Sequence, residues 1–512
     1  MYLTQSLHRA VQQNPDGIAT IFGDRVRSFV EQADRVARLA GALRRLGVES
    51  GDRVAYLGLN SDRFIEYYLA VPWADAVLNP VNVRWSPAEI AYSLEDSQTR
   101  VLLVDDAFIP LLPAIRDRYI ELNTFIYVGD AGPLPGMLGY EELVAAGPAV
   151  DDVRRGGDAM AALFYTGGTT GFPKGVMLSH ANLLTSALGS MATGGFGSWE
   201  RFLYAVPMFH LAGLGAFIGV GLAGGTQVIV PVFDPIAVLA AIEQHRVTDT
   251  LLIPIMIQLI VDHPQRAEHD LSSLQLLSYA GSPIALPLLD RARKALPGAG
   301  LTQGYRLTEC GVISLLLPAD HEDDSSHPDR RASGGRPAPH AEVRIVDSED
   351  RELPRGQVGE IVVRGGSTML GYWGKPEETA IALRGGWMHT GDAGRMDAHG
   401  YLYIVDRIKD MIVTGGENVY SAEVENAVAT HPAVAKCAVI GVPDEQWGER
   451  VHAVVVCTPG AQASEQEIRA HTKTLIAGYK APRTVEFVET LPVTPIGKVL
   501  KRELRAKVLD RH

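Results

Sequence analysis

Cysteine is scarce in this chain. Cys310, Cys437 and Cys457 are the only three in 512 residues, and they are widely separated with no metal-ligand spacing. That excludes a disulfide framework and fits a reducing compartment. Positive charge is also short, with 47 Lys and Arg against 60 Asp and Glu, a formal net charge of −13. Such a chain is not expected to bind nucleic acid generally, since that requires neutralising phosphates. No apolar core follows the N-terminal MYLTQSLHRAVQQNPDG, so no signal peptide is read there. The one long uncharged run, 211–233, is broken by Gly213, Gly215, Gly219, Gly221, Gly224 and Gly225. It reads as a buried helix, a Gly-Gly turn and a buried strand, not as a membrane span. A soluble, cytoplasmic protein is expected.

What is present is a globular composition, 46% hydrophobic and 21% charged, long enough for roughly two to four domains. Residues 28–47 carry apolar positions at helical spacing and stop at Gly47. The apolar strand RVAYLGLN (53–60) follows, then a helix over 63–76, then another helix and strand. Alternation of this kind predicts an α/β fold with parallel strands covered on both faces. It continues through AVLAAIEQHRVTDTLLIPIM (237–256) and the apolar run at 274–279. From about residue 334 polar and β-branched residues alternate between Gly/Pro turns, the pattern of a smaller antiparallel unit. The charged run Asp406-Arg407-Ile408-Lys409-Asp410 between two strands marks a boundary.

The stretch with the most chemistry is LFYTGGTTGFPKG (163–175). Gly167, Gly168 and Gly171 let the backbone turn and bring its N–H groups to an anion. Thr166, Thr169 and Thr170 add hydroxyls, and Lys174 adds a compact charge. An apolar strand leads into it, so it reads as a phosphate-handling loop. The Gly-Lys-Ser/Thr step of a P-loop is missing, which argues against a P-loop kinase or NTPase. A ligand-free Gly/Thr turn is the other reading.

Four further stretches look chemical. In Gln303-Gly304-Tyr305-Arg306-Leu307-Thr308-Glu309, Tyr305 could stack on a base, Thr308 donate to a phosphate and Glu309 hold a hard cation. Trp387-Met388-His389-Thr390-Gly391-Asp392 offers an acid suited to two ribose hydroxyls. Arg407 and Lys409 flank the boundary, and Pro495-Ile496-Gly497-Lys498 presents a lysine on a turn. Taken singly, each is also what a capped helix, a solvated charge or an ordinary turn looks like.

In this order, with PMFHLAG (207–213) and GGENVYSAEVE (415–425), these stretches resemble the adenylate-forming acyl-CoA synthetases, a superfamily that includes luciferases and peptide-synthetase adenylation domains. The resemblance runs from Arg53 to Lys498. It implies an α/β fold with a large N-terminal domain of stacked sheets plus a small β-barrel-like part (1–406). A hinge (407–409) and a smaller mobile α+β domain (410–512) would follow. It implies ATP, Mg²⁺ and coenzyme A as reactants and cofactor, and a carboxylic acid made into acyl-AMP and then a thioester. By resemblance, Thr166, Gly167, Gly168, Thr169, Thr170, Gly171 and Lys174 would hold the β- and γ-phosphates. Tyr305, Gly304 and the backbone at Gly281, Ser282 and Pro283 would hold adenine, and Asp392 and Arg407 the ribose. Thr308 would touch the α-phosphate, Glu309 bind the metal, and Lys498 bridge carboxylate and α-phosphate. Phe209 and His210 would sit near the carboxylate and border the acyl entrance, with His210, like Lys498, Thr308 and Glu309, among the catalytic residues. Rotation about Lys409 would bring in the loop Gly415-Gly416-Glu417. A small carboxylic acid is the expected partner, nucleic acid is not, and a homodimer is left open.

Three departures stand out: Gly167 where Ser is frequent, Ala280-Gly281-Ser282 for Gly-Ala-Ala, and Arg306 where a small residue is usual. The last bears on the substrate. Arg306 could meet a polar or anionic group on the acid, shorten the pocket, or turn away to pair with a carboxylate. The leading expectation is a hydrophobic, fatty acid. The alternatives are an aryl or polar-substituted acid, a carrier protein as acceptor, or a non-catalytic binding protein.

Overall fold

The computed structural model describes residues 1–166, 173–194, 198, 200–322, 327, 329–414, 417–444, 446–493 and 499–509, without the side chains of 409 and 418. By packing, the chain divides into two units, 1–343 with 363–388, and 344–362 with 389–512. This division concerns packing, whereas the hinge expected at 407–409 concerns motion.

The first unit holds two large sheets. In one, nine strands run in the order Arg336–Pro337, Gly311–Leu316, Gly300–Leu307, Leu276–Ala280, Asp249–Leu252, Arg201–Tyr204, Thr226–Ile229, Ile18–Phe22, Arg25–Ser28. The neighbours from Gly300–Leu307 across to Ile18–Phe22 are parallel. The other has eight strands, centred on Arg53–Leu57, Val77–Pro80 and Met160–Thr166. Helix Asp62–Trp73 touches strands of both sheets and is buried along its whole length. Burying Asp62 and Glu66 is tolerable because Arg25 pairs with Asp62 at 3.0 Å and Arg35 with Glu66 at 2.6 Å, and an unpaired charge there would be costly.

The helix expected over 28–47 is Phe29–Arg45, started by a capping box between Ser28 and Glu31. The uncharged run is helix Leu211–Ala223, Gly224 at φ 79° and strand Thr226–Ile229. An apolar strand does lead into the Gly/Thr stretch. Strand Met160–Thr166 and strand Lys174–Ser179 form an antiparallel pair, with Thr166 opposite Lys174 and Tyr165 opposite Gly175. Strands therefore flank the Gly/Thr loop on both sides.

The second unit includes most of a four-stranded sheet, the part expected to be barrel-like, and a five-stranded sheet. Along strand Val434–Asp444, Val439 joins one apolar cluster while Ala438, Ile440 and Val442 join another. Strand Gly448–Cys457 splits likewise, Val451, Ala453 and Val455 from Val454. That is the period of two. Helices Ser421–Ala429 and Glu465–Leu475 supply Val424, Val428 and Ile468 to the first face, and helix Lys501–Leu509 supplies Leu504 and Val508 to the second. Full burial of each such side chain stabilises by about 1.5–3 kcal/mol.

Candidate active site

Strands Arg201–Tyr204, Leu276–Ala280 and Gly300–Leu307 run the same way, so the segments after them gather at one edge of the sheet. Carboxyl ends of parallel strands are where open α/β sheets bind ligands. Gly281 follows Leu276–Ala280 with φ 92°, a turn that side-chain-bearing residues resist. Ala280 lies beside Gly304, so 281–283 are brought next to Gly304 and Tyr305. Ser282 and Pro283 are exposed.

Strand Gly300–Leu307 turns back through Thr308, Glu309 and Cys310 into strand Gly311–Leu316. The register shifts between Tyr305 and Arg306, from Tyr305 opposite Ser314 to Arg306 opposite Val312. A bulge of this kind re-aims side chains. Glu309 Oε1 accepts from the Tyr372 hydroxyl at 3.0 Å, and the Lys174 ammonium stands 5.1 Å from the centre of the Tyr372 ring. Tyr372 thus joins the base of the Gly/Thr loop to Glu309. Trp373 holds the same corner, its backbone N–H donating to Gly175 at 2.8 Å and its indole to the Asp96 carbonyl at 2.9 Å. The Tyr165 hydroxyl donates to the Asp96 carboxylate at 2.6 Å. Sequence reasoning missed Asp96, Tyr372 and Trp373, which reach the site only through contacts between segments far apart in the chain.

Phe209 and His210 end the segment after strand Arg201–Tyr204, their rings 4.2 Å apart. Asn60 pins that segment, donating to the Val206 and Val230 carbonyls and accepting from the Met208 N–H at 2.8 Å, and the Tyr68 hydroxyl donates to the Met208 carbonyl. These two anchors were also missed. A Cβ on Gly213 would come within 2.6 Å of the Met208 Cα, so only glycine lets helix Leu211–Ala223 start so close. His210 Nε2 is buried with no partner among the described residues. Burial, and then the positive charges of Arg84 and Arg306, push His210 down to about 3, so it is neutral at physiological pH. Arg84 lies 6.0 Å from the Phe209 ring centre with Nη1 also unpartnered among the described residues.

Next to this segment, helix Leu211–Ala223 and helix His180–Met191 wall a cavity of about 110 Å³ with Phe202, Leu251 and Leu315 on its strands. Its lining is mostly apolar. Gly215 leaves it open, since a Cβ there would meet nothing within 4 Å. Arg306 lines the same cavity. Burial lowers its guanidinium to about 10, which leaves it charged. Of the directions open to Arg306, turning away to pair with a carboxylate is not the one found: no described carboxylate pairs with it.

In the second unit, Asp392 is buried and pairs with Arg407 at 2.7 Å, directly across the strands Met388–Met396 and Leu402–Arg407. Its N–H donates to Thr390, whose hydroxyl donates to the Ile361 carbonyl at 2.7 Å. The hinge candidate is a short 3-10 turn, Ile408–Asp410, tied by Arg505 to Asp410 at 3.2 Å. Glu417 is exposed at the start of strand Glu417–Val419. Gly167, Gly168, Thr169, Thr170, Gly171, Gly415, Gly416 and Lys498 lie outside the described residues. The bridge between Val493 and Val499 joins the ends of the segment that contains Lys498.

A family described as "AMP-binding enzyme" matches residues 7–373, and its C-terminal domain matches 423–498. The chain belongs to the AMP-binding, adenylate-forming enzymes. It is 40% identical over 500 residues to a feruloyl-CoA synthase of an Amycolatopsis species, covering 98% of this chain and 97% of that one. It is 36% identical over 465 residues to the fatty acid–[acyl-carrier-protein] ligase ScoC of Streptomyces coeruleorubidus, covering 88% and 86%. ATP-bound MatB from Rhodopseudomonas palustris superposes with a TM-score of 0.89 at 29% identity, over the full length of both chains. The family and its relatives make this chain an AMP-forming acid–thiol ligase. Its fold is the α/β arrangement of that family, and none of its described helices is long and apolar enough to cross a membrane.

Proposed function

We propose that the protein activates a hydrophobic carboxylic acid with ATP and passes the acyl group to the thiol of coenzyme A. A carboxylate oxygen attacks the α-phosphorus and pyrophosphate leaves with the bonding electrons. The thiol sulfur then attacks the acyl carbon, AMP leaves, and the thiol proton goes to solvent or a base. The difficulty of the first step is charge, an anion approaching a polyanion. Lys174 and the Gly/Thr loop would take the β- and γ-phosphates, Thr308 the α-phosphate, and Tyr305 with 281–283 the adenine. Asp392 and Arg407 would hold the ribose. Lys498 would neutralise the attacking oxygen and the α-phosphate together, as a compact point charge can.

Glu309 fits Mg²⁺ as a single carboxylate whose other ligands would be phosphate oxygens and water, the usual arrangement for that ion. The described residues contain no cluster of three or more His, Cys, Asp or Glu suited to hold it alone. Bound there, the ion would neutralise phosphate charge. Tyr372 would orient Glu309 for the task.

The observation that carries this reading is the mostly apolar cavity beside Phe209 and His210, at the strand edge that also holds Tyr305 and Glu309. The test is a panel of acids scored for ATP-dependent pyrophosphate release, then for AMP and thioester on adding coenzyme A. The relative named as a carrier-protein ligase supports a second reading. Pyrophosphate release without thioester formation on coenzyme A would favour a carrier protein as acceptor.

A further inference from the structure

The cavity has one feature that a plain fatty-acid pocket does not need. Among the described residues lining it, only Arg306 is charged. Its five N–H donors meet no hydrogen-bond or ion-pair partner among the described residues. Three of the polar side chains that line it are already committed within the protein. Asn182 donates to the Gly366 carbonyl at 2.9 Å, Ser190 to the Ser186 carbonyl at 2.7 Å, and Ser367 to the Cys310 carbonyl at 2.8 Å. His210 is neutral and adds no negative charge. Arg306 is half-buried at the cavity wall; once the body of a ligand displaces water from the cavity, an unpaired guanidinium there is costly, and it is relieved most by an anion that accepts two parallel N–H bonds. A neutral hydroxyl or ketone would fill the donors and leave the charge uncompensated.

We infer that Arg306 receives a second carboxylate on the substrate, so that the acid activated here is a dicarboxylic acid with a hydrophobic body between its two ends. The inference rests on the proposed acid-activating function and narrows its substrate class. One carboxylate would be adenylated, while the other would stay ionised against Arg306 as the apolar walls enclose the body. Selectivity then comes from Arg306, because a monocarboxylic acid leaves the guanidinium buried and unpaired.

The experiment compares matched acids of equal chain length: the α,ω-dicarboxylic acid, the monocarboxylic acid and the ω-hydroxy acid. Each is assayed for kcat/KM of ATP-dependent pyrophosphate release, with the native protein, Arg306→Met and Arg306→Lys. The native protein should prefer the diacid over the monoacid by about 10²-fold, as sites built to bind a polar group reject analogues lacking it. Arg306→Met should abolish or invert that preference, and Arg306→Lys should retain part of it. In a parallel arm, calorimetry with an ATP analogue that cannot release pyrophosphate should detect diacid binding to the native protein and not to Arg306→Met. Unchanged preference in Arg306→Met, or a hydroxy acid served as well as the diacid, overturns the inference. So does a rise in the KM for ATP that is equal for every acid, which would assign Arg306 to the nucleotide. If no acid supports pyrophosphate release, the ligase reading falls, and the calorimetric arm still decides the role of Arg306.

Discussion

At the scale of single residues, charge decides which groups can share the mouth of this site. A protonated His210 would sit among the positive fields of Arg84 and Arg306 without water to screen them, and burial already disfavours the cation. The unfolded chain binds that proton near the ordinary value of 6.5, and the folded protein only near about 3. Stability is therefore fully present above 6.5 and is lost as pH falls toward 3. By pH 5 the loss from this residue should reach roughly 2 kcal/mol. His180, lowered to about 4 by burial, acts in the same direction. Urea unfolding of the native protein and His210→Asn between pH 7.5 and about 4.5 checks this. The variant should show the shallower acid slope, and parallel curves would assign the acid sensitivity elsewhere. In the proposed mechanism Lys498 poses a different problem, a charge needed for the first step and not for the second. Lys498→Ala should slow acyl-AMP formation by about 10²–10³, the usual loss for one preorganised charge contact. Thioester formation from supplied acyl-AMP should be far less affected. Equal losses in both half-reactions would remove Lys498 from the adenylation step.

At the scale of elements, the site depends on close approach between a helix and the segment before it. Helix Leu211–Ala223 has glycine where it meets Met208 and glycine where it faces the cavity, for different reasons. Gly213 permits contact, and Gly215 leaves space. Gly213→Ala should push the helix from the 208–210 segment at a cost of about 1–3 kcal/mol, the range for overpacking a filled interior. Because Phe209 and His210 move with it, the KM for the acid should rise more than the KM for ATP. Thermal unfolding and steady-state kinetics on one preparation read both effects; an unchanged melting temperature would show that the helix accommodates the methyl group. The same element accounts for the uncharged run from 211: Gly213 serves packing and Gly215 cavity volume, and none of the described helices is long and apolar enough to cross a membrane.

At the scale of the whole molecule, two half-reactions need different groups at one acyl carbon. We propose that Lys409, in the 3-10 turn Ile408–Asp410, is the pivot that exchanges them. Proline would fix φ near −65° and remove an N–H, so Lys409→Pro should block a large dihedral change while leaving each unit folded. Acyl-AMP formation should stay within about threefold of native while transfer to coenzyme A falls by at least roughly 10²-fold. Rapid-quench measurement of each half-reaction separates them. Native rates in both would place the pivot elsewhere.

Much of this protein is written locally in its chain. The Ser28 cap, the period of the 29–45 helix, the Gly-Gly stop after Ala223 and the strand–helix alternation each depend on neighbours within a few positions, so composition and spacing specify them. The order of the chemical stretches likewise identified the family, because phosphate, base and metal contacts demand particular residue types in short segments. What the chain alone could not reveal was which distant groups complete those segments. Tyr372 reaches Glu309, Trp373 reaches Asp96, and Asn60 and Tyr68 hold the 208–210 segment across more than a hundred residues. Each such contact exists because tertiary packing brings remote segments together, a long-range outcome with no local signature. The direction of Arg306 is of the same kind. Its identity was plain from the start, but a register shift between two antiparallel strands and the absence of a described partner were needed to aim it into the cavity. Local propensity thus determined the elements and the family, and tertiary packing decided where the one uncompensated charge in the cavity would point.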